Sequence, residues 1–200
     1  MKVQKIVVGS FATNCYLLVK DDSLLLIDPG ASFRKISQII DGYENCSLKG
    51  ILLTHGHFDH IGAVDDLVRK YGCPVFACQE DEVLLRNGDI NSMAGISNTV
   101  TSKVNWLEGD SVNIGPFEAG ILYTPGHTAG SVMFIIEGRL FSGDTLFARS
   151  VGRTDLYSGS YSQLKQSLQV VYSLPPEMVV YPGHDQETDI ETEIRYNPYL

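Results

Sequence analysis

Apolar residues in this chain fall into short runs separated by glycine, proline and polar turns, and only a few stretches repeat every three to four residues. The runs Lys5–Gly9, Cys15–Lys20 and Leu24–Asp28 read as strands, the last closed by the Asp28-Pro29-Gly30 turn. Phe33, Ile36, Ile39 and Ile40 recur at helical spacing and predict a helix over Phe33–Ile40. Ile51–Thr54 is a short apolar strand. Ile61, Val64, Leu67, Val68 and Tyr71 then mark one face of a second helix, followed by a strand at Pro74–Ala77 and a helix at Glu80–Asn87. Gly88–Lys103 is polar and glycine-bearing and reads as a long surface loop. The second half repeats the style. Strands are predicted near Ser111–Ile114, Glu118–Tyr123, Val132–Ile136, Leu140–Ser142 and Met178–Tyr181. A helix carries Tyr161, Leu164, Leu168 and Val171 on one face, and a short helix starts near Asp189. Many strands with few helices, in two similar halves, predict two packed sheets with helices outside, an α/β (α+β) architecture whose topology periodicity leaves open. With no internal linker in 200 residues, one domain spanning 1–200 is expected, long enough to bury a full core.

Composition changes this picture little. The chain is 44% apolar and 20% charged, ordinary for a globular protein. Its net charge is −9 without a lysine or arginine cluster, which argues against a nucleic-acid partner. No run of 18 apolar residues exists, so no membrane partner is expected. The first nine residues are too short in apolar length for a signal peptide, which makes the cytoplasm the default. Cys15, Cys46, Cys73 and Cys78 form no C-x-x-C pair and are expected to be buried, reduced thiols; Cys73 and Cys78 flank the predicted strand Pro74–Ala77, an awkward place for a disulfide.

Candidate chemistry changes it more. Thr54-His55-Gly56-His57-Phe58-Asp59-His60 contains H-x-H-x-D-H. With five histidines in 200 residues, chance supplies about 2 × 10⁻⁴ such matches, so the segment is treated as signal. Imidazole suits zinc, iron and manganese, and aspartate adds a hard anionic oxygen. Four ligand-type residues in six positions are too crowded to wrap one tetrahedral ion, and two adjacent ions sharing the segment is the better geometry. Apolar strands also lead to the remaining candidates: Ile121–Thr124 to His127, Leu140–Ser142 to Asp144, and Met178–Tyr181 to His184, each with glycine immediately before the ligand. Two divalent ions would bring the net charge to about −5.

H-x-H-x-D-H, Thr124-Pro125-Gly126-His127-Thr128, Gly143-Asp144-Thr145-Leu146-Phe147 and Pro182-Gly183-His184, in this order, resemble the metallo-β-lactamase fold hydrolases. The likeness extends to Thr13-Asn14-Cys15-Tyr16 and Asp28-Pro29-Gly30. It implies a four-layer αββα sandwich with metals at one edge between the sheets. It further implies that His55, His57 and His127 hold one ion, Asp59, His60 and His184 a second, and that Asp144 bridges them. Asp28 would lie behind the ligands. The implied cofactor is a pair of divalent ions per chain, zinc with iron or manganese as alternatives; all seven ligands are nitrogen or oxygen donors, a set that does not choose among the three. Such a pair lowers the pKa of water and supplies a hydroxide for attack on a carbonyl carbon, with Asp59 as ligand, base or both, and Asp144 as the second catalytic aspartate.

Gly152-Arg153-Thr154-Asp155-Leu156 looks like glyoxalase II and its short bacterial relatives, which hydrolyse a thioester, S-lactoylglutathione. The same piece resembles persulfide dioxygenases, which share the fold and use one iron. Arg153 would bind a substrate carboxylate bidentately, or else pair with an acidic neighbour. Asn197-Pro198-Tyr199-Leu200 lacks the basic residues that follow in long glyoxalase II enzymes, so a more open site with weaker glutathione recognition is expected. The leading expectation is a binuclear thioester hydrolase acting on a small-molecule thioester. The alternatives are a lactone, β-lactam or phosphoester hydrolase and a mononuclear iron persulfide dioxygenase. Oligomeric state is open.

Overall fold

Leu24, Leu25, Leu26 and Ile27 are all buried. A strand with one wet face alternates; this one does not, because Leu24 and Leu26 enter one apolar cluster while Leu25 and Ile27 enter another. The computed structural model describes residues 1–200. Its first sheet contains β1 (Lys2–Val8), β2 (Thr13–Lys20), β3 (Ser23–Ile27), β4 (Ser47–Leu52) and β5 (Val75–Ala77). A small hairpin, β6 (Ser92–Met93) and β7 (Ile96–Ser97), precedes the last strand of that sheet, β8 (Val104–Trp106). The second sheet contains β9 (Ser111–Ile114), β10 (Phe117–Tyr123), β11 (Val132–Ile136) and β12 (Arg139–Gly143). A second hairpin, β13 (Leu146–Phe147) and β14 (Ser150–Val151), leads to β15 (Val179–Pro182) and β16 (Thr188–Asp189). The helices are α1 (Phe33–Asp41), α2 (Phe58–Ile61), α3 (Val64–Tyr71), α4 (Glu82–Arg86), α5 (Tyr161–Ser167) and α6 (Ile190–Tyr196).

The sheets run β1-β2-β3-β4-β5-β8 and β16-β15-β12-β11-β10-β9. Three apolar clusters set the layers. Tyr16, Leu18, Leu25 and Leu52 of the first sheet meet Phe117, Ile121, Phe134 and Phe141 of the second in the central cluster. Burying each of these large side chains contributes about 1.5–3 kcal/mol. Outside the first sheet, Leu24, Leu26 and Ile51 pack on Ile36 and Ile40 of α1 and on Val64 and Leu67 of α3. Outside the second, Met133, Leu140 and Val180 pack on Leu164 of α5, Leu168, Val171 and Ile190 of α6. Helix, sheet, sheet, helix is the αββα order that the resemblance implies.

Several local expectations change. The helix expected through Ile61–Tyr71 is broken at Gly62-Ala63, because these two N–H groups donate to the carbonyls of Gly30 and Pro29. The helix expected at Glu80–Asn87 is a tight turn, Gln79–Asp81, followed by α4. Gly88–Lys103 is a surface segment that contains the β6–β7 hairpin and sends Asn91 and Val100 into the interior. Val104–Trp106 is a strand that periodicity missed; it closes the edge beside β5. The four cysteines are free, and Cys73 and Cys78 belong to different clusters. No helix is long and apolar enough to cross a membrane.

Candidate metal centre

Strand direction gathers the ligand-type residues at one edge. β3 and β4 are parallel, so Asp28 and the His55–His60 segment emerge together. β2 is antiparallel to β3 and starts at that edge with Thr13. In the second sheet β12 and β15 are parallel and deliver Asp144 and His184. β10 is antiparallel to β11, and β11 to β12, so β10 runs with β12 and ends at the same edge before His127. Main-chain bonds join the sheets there: Val132 N donates to Thr54 O at 2.8 Å and Asn14 N to Gly183 O at 2.7 Å. Glycine is required at Gly183, where a Cβ would lie 2.1 Å from Asp144 Oδ1, and at Gly126, where one would lie 2.3 Å from Leu164 N at φ +142°.

The side chains form two triads, His55–His57–His127 and Asp59–His60–His184, each with ligand atoms mutually within 4.8 Å. Asp144 lies between them. Its Oδ1 is 3.4 Å from His60 Nε2, and its Oδ2 is 3.5 Å from His184 Nε2 and 3.6 Å from His127 Nε2. Within the triads, His57 Nδ1 is 2.9 Å from His127 Nε2, His60 Nε2 is 3.3 Å from His184 Nε2, and Asp59 Oδ2 is 3.3 Å from His184 Nε2. Two ligands of one tetrahedral ion at bond lengths near 2.1 Å sit about 3.4 Å apart, so the spacing matches. Asp28, His55 and His60 form a third grouping. It is not free to bind an ion, because Asp28 accepts from Thr54 N at 2.8 Å, Thr54 Oγ1 at 2.6 Å and His60 Nδ1 at 3.0 Å.

Hydrogen bonds behind the rings fix which nitrogen faces inward. Nδ1 of His60 donates to Asp28, that of His127 to Arg153 O at 2.7 Å, and that of His184 to Phe11 O at 3.1 Å. His55 Nδ1 faces Thr54 Oγ1 at 3.1 Å. Each of these rings therefore turns the Nε2 lone pair to the centre. Nε2 of His55 and Oδ1 of Asp144 are buried without a hydrogen-bond partner, which a cation explains and a purely structural cluster does not; His57 turns Nδ1, not Nε2, toward His127.

The electrostatics agree. Burial, reinforced by neighbouring imidazoles, holds His55 well below its ordinary range and His57 at about 3, leaving both neutral and basic toward a metal. Burial also opposes a charge on His60, but Asp144, Asp59 and Asp28 outweigh it and hold the ring up to about 10. His184 is likewise raised against burial by its bond to Asp59 and by Asp144. Asp59 stays below the usual carboxylate range, because His60 and His184 overcome its burial. The carboxylates draw positive charge into this half of the site, the demand that a divalent ion meets.

The model of the metallo-beta-lactamase superfamily matches residues 8–184. The chain belongs to the metallo-β-lactamase superfamily. Within it, the chain is 39% identical to probable metallo-hydrolase YqgX of Bacillus subtilis (strain 168), over 100% of this chain and 98% of that one. It is 32% identical to hydroxyacylglutathione hydrolase GloC of Haemophilus influenzae, again over 100% and 98%. Among solved structures, the BLEG-1 B3 metallo-β-lactamase superposes with a TM-score of 0.94 at 34% identity, covering 100% of this chain and 99% of that one. TTHA1623 in a di-iron-bound form superposes at 0.91 and 36%, covering 99% and 100%. Membership supports a metal-dependent hydrolase, and the His/Asp clusters are suited to binding metals.

Against this superfamily background the other expected residues find places. Arg153 lies at the cavity rim with its guanidinium forked onto Asp155, at 2.7 and 2.8 Å, while its carbonyl orients His127. Asn197 is buried; its amide donates to Ser150 O at 3.0 Å and to Glu193 Oε2 at 2.8 Å, fastening α6 to the β13–β14 hairpin that follows Asp144. Sequence reasoning missed three supporting residues. Thr13 Oγ1 donates to Asp59 Oδ2 at 3.0 Å. Asn91 receives Phe58 N–H at 2.8 Å and donates to Gly56 O at 2.7 Å. Asp81 accepts from the loops on both sides of the three-histidine triad. Thr13 had a signal in the Thr-Asn-Cys-Tyr motif. Asp81, within Gln79-Glu80-Asp81-Glu82, reads like a solvated acidic turn.

Proposed function

We propose that the chain is a binuclear metal-dependent thioester hydrolase of the glyoxalase II type, acting on an S-lactoylglutathione-like thioester. His55, His57 and His127 would hold one divalent ion, Asp59, His60 and His184 the other, with Asp144 shared and zinc the first candidate. Bound there, the ions would supply a hydroxide nucleophile at neutral pH and charge stabilisation for an oxyanion. The chain's own residues do the rest. Asp59, its Oδ2 engaged by Thr13 at 3.0 Å, would orient the attacking water as well as ligate. Phe11, Phe58, Met93 and Leu156 wall the apolar side of a 160 Å³ cavity against the ligands. That volume is below the 300–1,000 Å³ of a site for a drug-sized ligand, so it suits the acyl half of a substrate and leaves the thiol half at the rim.

The observation that carries the thioester reading is the absence of a spare proton donor. Among the residues lining the cavity, the only cation outside the triads is Arg153, and three of the five imidazoles have their Nδ1–H committed to fixed oxygens. Such a site favours a leaving group that departs as an anion. A thiolate, with a thiol pKa near 8.5, does so readily, whereas an amine must be protonated. The full-length likeness to GloC supports the same choice. The likeness to BLEG-1 favours β-lactam opening as a second reading. Two complete triads around Asp144 weigh against a persulfide dioxygenase, since one iron needs two histidines and a carboxylate. The test is a panel on protein with its metals quantified: S-lactoylglutathione, an uncharged lactoyl thioester, a lactone, a chromogenic cephalosporin and a phosphodiester. Two ions per chain and thioester turnover at least about 100-fold above the rest are expected. A fully loaded protein that is inert on thioesters, or one iron per chain with oxygen uptake on a persulfide, overturns it.

A further inference from the structure

The segment His55–His57 lies beyond the end of β4 and before α2, outside the strand ladders. Gly56, between the two histidines, is gripped from both sides. Its N–H donates to Asp81 Oδ2 at 2.7 Å, and its carbonyl accepts from Asn91 Nδ2 at 2.7 Å. The same Asp81 oxygen accepts from Thr128 Oγ1 at 2.8 Å, and Oδ1 accepts from Gly130 N at 2.8 Å. Asp81 is thus a buried carboxylate, 1% exposed, whose three donors come from the residue between His55 and His57 and from the turn immediately after His127. It touches none of the five histidines. Gly56 and Gly130 are closely fitted to it: a Cβ at Gly130 would lie 2.7 Å from Asp81 Cγ, and one at Gly56 would lie 3.2 Å from Asp81 Cβ. No such link reaches Asp59, His60 or His184, which are held instead by Thr13, Asp28 and Phe11.

We propose that Asp81 is the positioning residue of the three-histidine site, setting the affinity of that site for its ion while leaving the Asp59–His60–His184 site unchanged. The physical reason is distance in sequence. His57 and His127 come from different sheets, 70 residues apart, yet their facing nitrogens are 2.9 Å apart. A single carboxylate accepting from both loops converts two independent loop positions into one. Replacing it by asparagine keeps the size but points an NH2 at Gly56 N–H and Thr128 Oγ1, or at Gly130 N–H, depending on its flip. Either Gly56 N–H or Gly130 N–H then loses its acceptor and the link between the two loops loosens, and outer partners of this kind are worth about 10–100-fold in metal affinity.

This inference rests on the two-ion reading, so the experiment first establishes that His184→Ala and His127→Ala each retain one Zn²⁺, measured by competition with a chromophoric chelator. Failure of either to bind a tight ion would count against two ions, whatever Asp81 does. Asp81→Asn is then added to each. In the His184→Ala background, where only the three-histidine site is complete, Zn²⁺ affinity should fall at least tenfold. In the His127→Ala background it should stay within twofold. Equal losses in both would make Asp81 a general structural residue, and no loss in the first would overturn the proposal outright. Thr128→Val removes one donor and leaves the carboxylate in place. Should the Asp81 variant fail to fold, Thr128→Val must show the same one-sided loss, about threefold or more, or the proposal fails.

Discussion

Asp28→Asn tests the centre most sharply, because it changes one oxygen for an NH2 without changing shape. Asp28 is 1% exposed, and its oxygens accept from Thr54 N, Thr54 Oγ1 and His60 Nδ1. The asparagine carbonyl can keep Thr54 N–H. Its amide must then face Thr54 Oγ1, which can rotate to accept, and His60 Nδ1–H, which cannot. The relief open to His60 is to move its proton to Nε2, the atom that lies 3.3 Å from His184 Nε2 and 3.4 Å from Asp144 Oδ1. The lone pair needed by an ion is then lost. Affinity for one of two Zn²⁺ should fall about 10–100-fold, or about 1.4–2.8 kcal/mol. Metal-free stability should fall by about 1.5–3 kcal/mol, the worth of a charge-assisted hydrogen bond. The pH dependence has a definite sign. His60 is held up to about 10, above its ordinary 6.5, so its charged contacts stabilise the fold fully below 6.5 and fade as pH rises through 10. The metal-free gap between wild type and variant in urea unfolding should narrow across that window. Zn²⁺ titration and ¹⁵N imidazole spectra read affinity and tautomer together. Two ions bound at wild-type affinity, with His60 still protonated at Nδ1, would falsify the account.

Three further outcomes follow from the same geometry. Asp144→Ala, which removes the carboxylate that lies 3.4–3.6 Å from His60, His127 and His184, should cost at least one ion by elemental analysis; retention of both sinks its shared role. Zn²⁺ binding near pH 7.5 should release protons, because His60 and His184 are raised in the metal-free protein, and apparent affinity should climb from pH 6 to 9; calorimetric heats that do not vary with buffer ionisation enthalpy would contradict this. Arg153→Ala breaks an exposed pair and should change stability by less than about 1 kcal/mol. It should raise KM roughly fivefold for a thioester whose thiol half carries carboxylates, and leave that for an uncharged one unchanged, if the rim cation exchanges Asp155 for substrate; equal effects on both would remove Arg153 from recognition.

What the sequence determined by itself was everything encoded locally. Helical spacing placed α1 and the helix around Leu164, and short apolar runs marked most of the strands. His55, His57, Asp59, His60, His127, Asp144 and His184 stood out because ligand-type residues after short strands, four of them within six positions, have no common structural use. The rest depends on neighbours far apart in the chain. Gly62 interrupts a periodic helix because the Gly30 carbonyl takes its N–H. Asn91 sits in a segment as polar as any surface loop, yet it is buried against Gly56, 35 residues away. Asp28 and Asp81 look alike in sequence, an aspartate in a turn and an aspartate in an acidic run. The fold sends one to His60 and the other to the loops around His57 and His127. Ligand identity is a property of single residues, whereas ring orientation and the pairing of ligands are properties of hydrogen bonds between sheets, which only the packed edge brings within reach.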